Sequence, residues 1–203
     1  LLAVTAFGEH RQSHGRLYKT LRAERGLNYG DYAYLEVYRQ AGWSSMQEPG
    51  TGRVNNTFTI WLRPVQTDHA AFALKAALVE LDQLIAEGLA EDEFNRMQAY
   101  LSARIALWAA DPQRRLGWAV EAELMGWPDP ITSLPDRIKT LSLAQVNEAV
   151  ARHLQSTNLR VLAVTPEAAA LVAALESDEP TPLVTEAPTS DLDPGRVERD
   201  AVF

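Results

Sequence analysis

The sequence predicts an α+β fold, a two-layer sandwich in which helices pack on one face of a mostly antiparallel sheet. Two segments, 28–39 and 57–63, show the period-two alternation that is typical of strands. Segments with helical period follow between residues 74 and 154, and another strand-like apolar run comes after them. Because strands and helices are grouped and do not alternate regularly, a parallel doubly wound fold is not expected.

The elements before the first strand are predicted to be helical. Residues 1–8 have the pattern of the last turns of a buried helix, and residues 14–25 are predicted to form a second helix. In that helix Leu17 and Leu21 lie four residues apart, on one face. Gly26 follows as the helix stop, because glycine tolerates the left-handed backbone that often ends a helix.

Each predicted strand has two different faces. In the first strand Ala33 and Leu35 lie on one face, whereas Tyr32 and Tyr34 lie on the other. A glycine-containing turn at 48–53 precedes the second strand. The apolar face of the second strand consists of Phe58, Ile60 and Leu62.

The central part of the chain is predicted to be a series of amphipathic helices. Stop and start signals separate them: Gly88 and Gly126 as helix ends, Pro112 in a first turn, and a capping box from Ser142 to Gln145. The apolar residues at helical spacing are Leu74, Leu78, Leu81 and Ile85, then Phe94, Met97, Leu101, Ile105 and Trp108, then Leu116, Val120 and Leu124.

The last third of the chain changes in composition. Residues 159–165 are predicted to form a third apolar strand, and an alanine-rich helix begins after Pro166. We therefore assign 1–176 to one domain, incomplete at its N-terminus. Residues 177–203 are interpreted as an acidic, proline-containing extended tail, with an edge strand near 183–185.

Composition narrows the class of protein. The chain has 203 residues, 46% hydrophobic and 23% charged, which predicts a packed core. It has no cysteine, which excludes disulfides and cysteine-ligated zinc. The net charge of −8 argues against a nucleic-acid partner, and the sequence has no apolar run long enough to span a membrane. The first residue is not methionine, and we interpret the chain as a piece of a longer protein.

A metal site is one interpretation of the histidines. His10 and His14 have the i,i+4 spacing that places two imidazoles on one helix face, and Glu9 lies beside them. The alternative is a polar loop, which we favour because 9–14 lacks a helix signal and a third ligand. His69 and His153 are isolated.

Other catalytic patterns are absent from the sequence. No nucleophile elbow or phosphate-binding glycine loop occurs. The adjacent carboxylates Glu91, Asp92 and Glu93 open a predicted helix, where the helix dipole favours negative charge. We therefore interpret them as structural.

The most distinctive segment is 15–34, where a basic helix turns at Gly26 directly into a tyrosine-rich strand. Arg22 lies in the last turn of the helix and Tyr29 at the start of the strand. Both are donors suited to a peptide carbonyl or a developing oxyanion. In the competing interpretation Arg22 caps the helix carbonyls and Tyr29 packs against the protein.

This segment resembles the C-terminal-type, non-zinc domain of the insulinase/pitrilysin family, the inverzincin zinc metallopeptidases. The family pattern, small-Arg-Leu-aromatic and then Leu-Arg-Glu-x-Arg-Gly-Leu-x-Tyr, stands here as Gly-Arg-Leu-Tyr at 15–18 and Leu-Arg-Ala-Glu-Arg-Gly-Leu-Asn-Tyr at 21–29. The order of the later elements is also similar, over about residues 1–176.

The resemblance implies a role in peptide hydrolysis. Family members pair related α/β domains around a chamber, and one domain carries a His-x-x-Glu-His zinc motif. The other supplies an arginine–tyrosine pair that holds the substrate, at the positions of Arg22 and Tyr29. At 10–14 the two histidines are present, but Ser13 stands where the motif needs glutamate. The resemblance therefore implies no metal or cofactor in this chain, with zinc in a partner domain, and no activity of this chain alone.

Three functions follow as hypotheses. The chain is the substrate-binding half of a zinc peptidase, whose partners are peptide substrates and a zinc-bearing homologous domain of the same chain or a partner subunit, with a dimer possible. Alternatively, it is a non-catalytic structural or assembly subunit of the same fold. The third hypothesis is a metal-binding module that uses His10 and His14. The compartment stays open, with the cell envelope or periplasm as a working guess.

Overall fold

The structure is a computed structural model that describes residues 1–9, 12–36, 49, 57–181, 183 and 193–203. Its helices are α1 Leu2–Gly8, a π-helix Tyr18–Ala23, a short 3-10 turn Thr67–His69, α2 Ala70–Glu87, α3 Glu91–Ala109, α4 Pro112–Met125, α5 Pro130–Thr140, α6 Leu143–His153, α7 Ala168–Glu176 and α8 Pro194–Asp200. Its strands are β1 Asn28–Glu36 and β2 Thr57–Val65. None of the helices in these ranges combines the length and apolar character needed to cross a membrane.

The two strands pair antiparallel, as their patterns predict. The register places Asp31 opposite Leu62 and Ala33 opposite Ile60. On this face Ala33 is buried in the hydrophobic core with the helices. The sheet of the described residues therefore has two strands, which confirms an α+β protein in coarse form. The larger two-layer sandwich stays a prediction.

The second face of β1 is also buried, which the strand pattern alone does not predict. Tyr32 and Tyr34 are each 2% exposed, and their rings lie 5.5 Å apart. The hydroxyl of Tyr32 accepts a hydrogen bond from Nε of Arg63 on β2, at 2.5 Å. A tyrosine can be buried in this way because its hydroxyl has a partner.

The core lies where α1 and the start of the π-helix meet β1. Phe7 and Leu17 are completely buried there. Gly8 permits the close approach, because a Cβ atom at this position would lie 2.9 Å from Cδ1 of Leu17 and 3.3 Å from the amide nitrogen of Ala33. The segment that leads to the predicted site is thus fixed against the sheet.

Helix α3 confirms its predicted pattern. Every apolar residue that the periodicity selects, from Phe94 to Trp108, is buried. The acidic first turn, Glu91–Glu93, lies at the helix N-terminus, where the dipole favours it. The side chain of Gln98 donates to the carbonyl oxygen of Ile138 at 2.8 Å and so ties α3 to α5.

The buried faces of α2 and α4 differ from the predicted ones. In α4 the predicted stripe of Leu116, Val120 and Leu124 is exposed, whereas Trp118 and Ala122 are buried. In α2 only Leu81 of the predicted stripe is buried. The rest of the buried face consists of three alanines and two large residues: Ala73, Ala76, Ala77, Phe72 and Leu84. Both helices carry apolar residues on more than one face, so periodicity does not determine which face packs.

The signals that separate the helices are largely confirmed. Oδ1 of Asp111 accepts from the amides of Gln113 and Arg114 ahead of α4, and Gly126 ends that helix with a φ of 68°. The capping box of Ser142 and Gln145 is formed in both directions.

Helix α5 was not predicted. It contains Pro130 in its first turn and Pro135 inside, and these prolines hide its pattern. Oδ1 of Asp129 accepts from the amide of Ile131 and begins the helix. Four of the first six residues of this helix, Pro130, Thr132, Ser133 and Pro135, are proline or polar, and they mask its short apolar stripe in the sequence.

The predicted third strand, Leu159–Thr165, is wrong for the described structure. The segment is neither helix nor strand, and its large apolar residues are exposed. A strand is defined by its partner, and none of the described residues pairs with this segment. The alanine-rich helix that follows is formed as α7.

The C-terminal segment is partly helical where an extended tail was predicted. Helix α8 is capped by Asp193, whose carboxylate accepts from the amide of Arg196 at 2.9 Å. After α8 the chain ends at Phe203, which is buried and lies against the ring of Phe72. Of the predicted edge strand at 183–185, only residue 183 is among the described residues, and it is not in a strand.

Candidate functional site

The candidate site is at the corner between the π-helix and β1. Leu17 and Leu21 are both completely buried and fix this short helix against the core. The amide of Glu24 donates to the carbonyl of Lys19, five residues earlier, as a π-helix requires. One-turn π-helices of this kind occur often at functional sites.

Gly26 turns the chain from the helix into the strand. Its φ of 64° is in the left-handed region, which favours glycine. Its amide donates to the carbonyl of Arg22, and the amide of Leu27 donates to that of Leu21. Two carbonyls at the end of the helix are thus satisfied by the turn itself, and β1 starts two residues later.

Arg22 and Tyr29 are in direct contact. Nη1 of Arg22 donates to the carbonyl oxygen of Tyr29 at 3.2 Å, and the guanidinium carbon lies 4.3 Å from the centre of the Tyr29 ring. The same guanidinium carbon lies 5.2 Å from the centre of the Tyr18 ring. The cation is therefore held by two phenol rings through cation–π contacts. Tyr29 is 68% exposed, so this residue lies at the surface.

This geometry differs from the competing interpretation in which Arg22 caps the helix and Tyr29 packs. The side chain that bonds a helix carbonyl is that of Arg25, whose Nη1 donates to the carbonyl of Thr20 at 2.5 Å. Arg22 instead donates to the carbonyl oxygen of Tyr29 at the start of the strand, and Tyr29 is at the surface.

Arg25 is a structural residue whose role the local sequence does not indicate. Its side chain is completely buried, and Nη2 lies 2.6 Å from Oδ1 of Asp200 on α8. The guanidinium carbon is 5.9 Å from the centre of the Phe72 ring and 5.5 Å from that of Phe203. The C-terminal residues thus cover this arginine, and only a long-range contact reveals its role.

Arg16, part of the family-like motif, is also structural. It donates to both carboxylate oxygens of Glu93, at 3.0 and 2.7 Å, and to the carbonyl of Gly88 at 2.8 Å. Fork-shaped pairing of this kind is geometrically specific. The neighbouring Gly15 packs closely against Gly8, because a Cβ atom there would lie 3.1 Å from Cα of Gly8. Glu93 therefore serves this pair, in line with the structural interpretation of the acidic turn.

Asp31 is a buried acid beside the candidate site. It follows Tyr29 by two residues on β1 and is 5% exposed. Burial raises the pKa of its carboxyl to about 7, although the positive charge of Arg22 acts in the opposite direction. No described group forms a hydrogen bond with its Oδ2 atom. The sequence contains a signal for this buried acid, because Asp31 alternates with Ala33 on the inward face of an amphipathic strand.

The histidine hypothesis is tested only in part, because His10 lies outside the described residues. His14 is half-buried, with its ring edge-on to Tyr100 at 4.9 Å between centres, and burial lowers its pKa. Glu9 is buried, with Oε1 4.0 Å from Nη2 of Arg104. Within the ranges that the structure describes, no group of three histidines or acids could hold a metal ion.

Comparisons with known proteins support the resemblance at the level of the fold. No protein-family model matches the sequence, and no curated protein sequence matches it significantly. A peptidase M16 inactive domain from Pseudomonas fluorescens superposes with a TM-score of 0.61 and 16% identity, over 76% of this chain and 33% of that one. A conserved protein from Enterococcus faecalis V583 superposes with a TM-score of 0.57 and 17% identity, over 74% and 31% of the two chains.

A third solved structure has a length closer to that of this chain. It is a zinc-protease candidate from Bordetella pertussis Tohama I, with a TM-score of 0.51 and 17% identity over 74% of each chain. The present chain spans about a third of the length of the first two proteins. At these identities the likeness shows a shared fold: the chain folds like a peptidase M16 inactive domain.

Proposed function

We propose that this chain is the zinc-free, substrate-binding unit of an insulinase-like metallopeptidase. The observation that carries the proposal is the contact between Arg22 and Tyr29, which places a guanidinium and an exposed phenol together at the start of β1. The shared fold with an inactive peptidase domain and with a zinc-protease candidate supports the same function.

The chemistry of the pair suits a peptide backbone. The guanidinium and the phenol are hydrogen-bond donors, and a peptide offers carbonyl oxygens as acceptors. Their positive and polar character also suits the oxyanion that develops when a carbonyl is attacked. Because Arg22 is already held by Tyr18 and Tyr29, it loses little side-chain freedom when a ligand binds.

In this proposal the hydrolytic step belongs to a zinc-bearing partner domain, of the same chain or of a partner subunit. Zinc there would activate the attacking water, and a carboxylate there would take its proton. The residues of the present chain would line a shared chamber, bind the peptide and orient its carbonyl. Alone, this chain is expected to be inactive.

The alternative is a structural or assembly subunit. Two arginines of the family-like motif favour a structural role, because Arg16 pairs with Glu93 and Arg25 pairs with Asp200 inside the protein. Arg22 also has internal partners, but these are the carbonyl of Tyr29 and the rings of Tyr18 and Tyr29, at the corner of the candidate site itself. A His-x-x-Glu-His sequence in the same gene product, or in a co-purifying subunit, would favour the peptidase function over this one.

Metal content and peptidase activity test the proposal directly. Both are measured on this 203-residue chain and on the full-length gene product together with any co-purifying subunit. We expect a zinc-free, inactive chain and a zinc-containing, active larger assembly. A larger assembly that is also zinc-free and inactive would favour the structural subunit instead.

A further inference from the structure

Arg22 differs from the two other arginines of the family-like motif in its charge balance. Arg16 and Arg25 are each paired with a carboxylate inside the protein. Among the described residues, none of the ion pairs includes Arg22, and the hydrogen bond of its side chain goes to the neutral carbonyl of Tyr29. The positive charge of Arg22 is therefore not matched by a contacting acid in the described part of the chain.

The contacts of the Arg22 guanidinium leave room for a further acceptor. The group carries five N–H donors in one plane, and the bond from Nη1 to the carbonyl of Tyr29 uses one of them. The other contacts, with the rings of Tyr18 and Tyr29, are made by stacking and consume no in-plane donor. Arg22 thus keeps donors for a ligand while the two phenol rings hold its position.

A carboxylate is the group that fits such a set of donors best. Its two oxygens accept two parallel N–H bonds from a guanidinium, and hydrogen bonds between ionised groups are roughly twice as strong as neutral ones. A peptide carbonyl is neutral and offers one oxygen. Because Arg22 is half-buried, its charge is screened less than that of a fully exposed arginine. A ligand with a carboxylate should therefore bind here more tightly than a neutral one.

Asp31 is an acid close enough to feel the charge of Arg22, but it is an incomplete counter-ion. Burial raises the pKa of its carboxyl to about 7, although the charge of Arg22 acts in the opposite direction. Below that pH the carboxyl is largely neutral. The charge of Arg22 is then free to attract an anionic ligand, whereas at higher pH the ionised Asp31 opposes it.

The other charges around Asp31 do not compete with Arg22. Helix α1, the π-helix and β2 pack against β1. Helix α1 has no charged residue, and Lys19 on the π-helix is exposed. On β2, Arg63 donates to the hydroxyl of Tyr32, on the opposite face of β1 from Asp31. Arg22 is the charged group that shifts the pKa of Asp31.

We propose that the corner formed by Tyr18, Arg22 and Tyr29 selects a carboxylate group on its peptide ligand. The carboxylate comes either from an aspartate or glutamate side chain or from the C-terminal end of the peptide. This inference rests on the proposed function, because it names the ligand chemistry of the same site. It goes further in one respect: a neutral peptide that offers only backbone carbonyls is a poorer ligand.

Peptide binding to the 203-residue chain tests the selection without a zinc-bearing partner. The probes are short acetylated alanine peptides: one with a central glutamate and an amidated end, the same peptide with glutamine, one of alanine alone with a free C-terminal carboxylate, and its amidated form. Binding is followed by the NMR signal of the Arg22 Nε–H group at low ionic strength and pH about 6. We expect the glutamate peptide to bind about tenfold more tightly than the glutamine peptide.

The two carboxylate peptides distinguish the sources of the charge. Tighter binding of the central glutamate, relative to glutamine, identifies an acidic side chain as the preferred group. Tighter binding of the free C-terminal end, relative to its amide, identifies the end of a peptide chain. Either difference supports the selection of a carboxylate, and the larger one assigns its source.

Variants assign the preference to this corner. Arg22→Gln should remove the difference between the paired peptides, whereas Arg96→Gln, at an exposed arginine of α3, should preserve it. Tyr18→Leu should weaken binding of the carboxylate peptides about threefold, and Tyr18→Phe, which keeps the ring, should not. Melting temperatures of the variants show that each protein is folded.

The pH dependence gives a readout that a purely structural role would not change. The glutamate side chain of the probe is ionised above pH about 5. Its affinity should fall as the pH rises through about 7, because Asp31 becomes charged. Asp31→Asn should remove this fall and keep the preference for glutamate over glutamine.

Three results would overturn the inference. Equal binding of the charged and neutral peptides at Arg22 would contradict the carboxylate preference, yet leave the backbone binding of the proposed function in place. A preference that survives Arg22→Gln would locate the anion site elsewhere. Peptides that leave the Arg22 signal unchanged would exclude this corner as their site, whereas the proposed function is tested separately by zinc content and activity of the larger assembly.

Discussion

Arg25 and Asp200 are joined across almost the whole chain: Nε and Nη2 of the arginine lie 2.9 and 2.6 Å from the same carboxylate oxygen. The arginine side chain is completely buried, and that of Asp200 is 15% exposed. The bridge connects the residue before Gly26 to helix α8. The C-terminal residues therefore support the corner on which Arg22 and Tyr29 are placed.

The first prediction concerns this bridge. Asp200→Ala should lower the free energy of unfolding by about 2–3 kcal/mol, because it leaves a buried guanidinium without its main partner. Urea denaturation of the two proteins measures the difference. Glu198→Ala, on an exposed position of the same helix, is the matched control and should change stability by less than about 0.5 kcal/mol. Equal effects of both substitutions would show that the bridge contributes nothing specific.

Much of the site's backbone could be predicted from the sequence, because its signals are local. The helix end at Gly26 and the strand that starts near residue 28 lie within a few residues of each other. The direct contact of Arg22 with Tyr29 goes beyond the sequence, which leaves two interpretations of these side chains open. The role of Arg25 could not be predicted, because Asp200 and Phe203 are far away in sequence. Periodicity can place apolar residues on one face of a helix, but it cannot say what covers that face.

Helix α4 shows this limit most clearly. The leucine–valine stripe that was expected in the core is exposed, and Trp118 on another face is buried with its ring 6.4 Å from that of Trp108. The segment 159–165 illustrates the same point for strands: its composition is strand-forming, but pairing depends on a partner that the described residues do not supply.

The second prediction concerns Gly26. Gly26→Ala should lower the free energy of unfolding by about 1–2 kcal/mol, because alanine is strained at a positive φ. A Cβ there has no neighbour within 4 Å, so the cost is purely conformational. Gly126→Ala is a matched control, since Gly126 also has a positive φ and open space.

Both glycine variants should lose similar stability in thermal or urea denaturation. Only Gly26→Ala should also disturb the side-chain NMR signals of Arg22, because only that turn connects Arg22 to β1. Identical spectra for Arg22 in both variants would contradict a role of Gly26 in positioning the site.

The third prediction concerns pH. Because the pKa of Asp31 is raised to about 7 in the folded protein, the folded state binds this proton more tightly than the unfolded state. Below pH about 4 both states are protonated, and the residue makes no difference. Stability should therefore fall between pH about 4 and about 7 and stay lower above it.

The comparison of the wild type with Asp31→Asn isolates this effect. The variant should be more stable than the wild type at pH 8, by about 2–4 kcal/mol, and the difference should disappear toward pH 4. Urea denaturation at several pH values measures it. Arg22→Met should raise the pKa of Asp31 further, which carboxyl carbon NMR can follow. A difference between the proteins that is constant with pH would contradict the raised pKa.

The last prediction tests the candidate site itself, in the larger assembly with its zinc-bearing partner. Arg22→Ala should lower kcat/KM for a fluorogenic peptide by about 100-fold, the usual effect of losing one donor to an oxyanion. Tyr29→Phe removes only a hydroxyl at an exposed position, so it should lower kcat/KM while the melting temperature stays the same.

Arg96→Ala is the matched control for the loss of a positive charge. Arg96 lies on the exposed surface of α3 and pairs with Asp92. Its substitution should leave kcat/KM unchanged, because an exposed ion pair contributes little and lies outside the candidate site. If Arg22→Ala and Tyr29→Phe leave the kinetics as unchanged as Arg96→Ala does, the pair does not bind substrate. Its contact then serves only to fix the corner between the π-helix and β1.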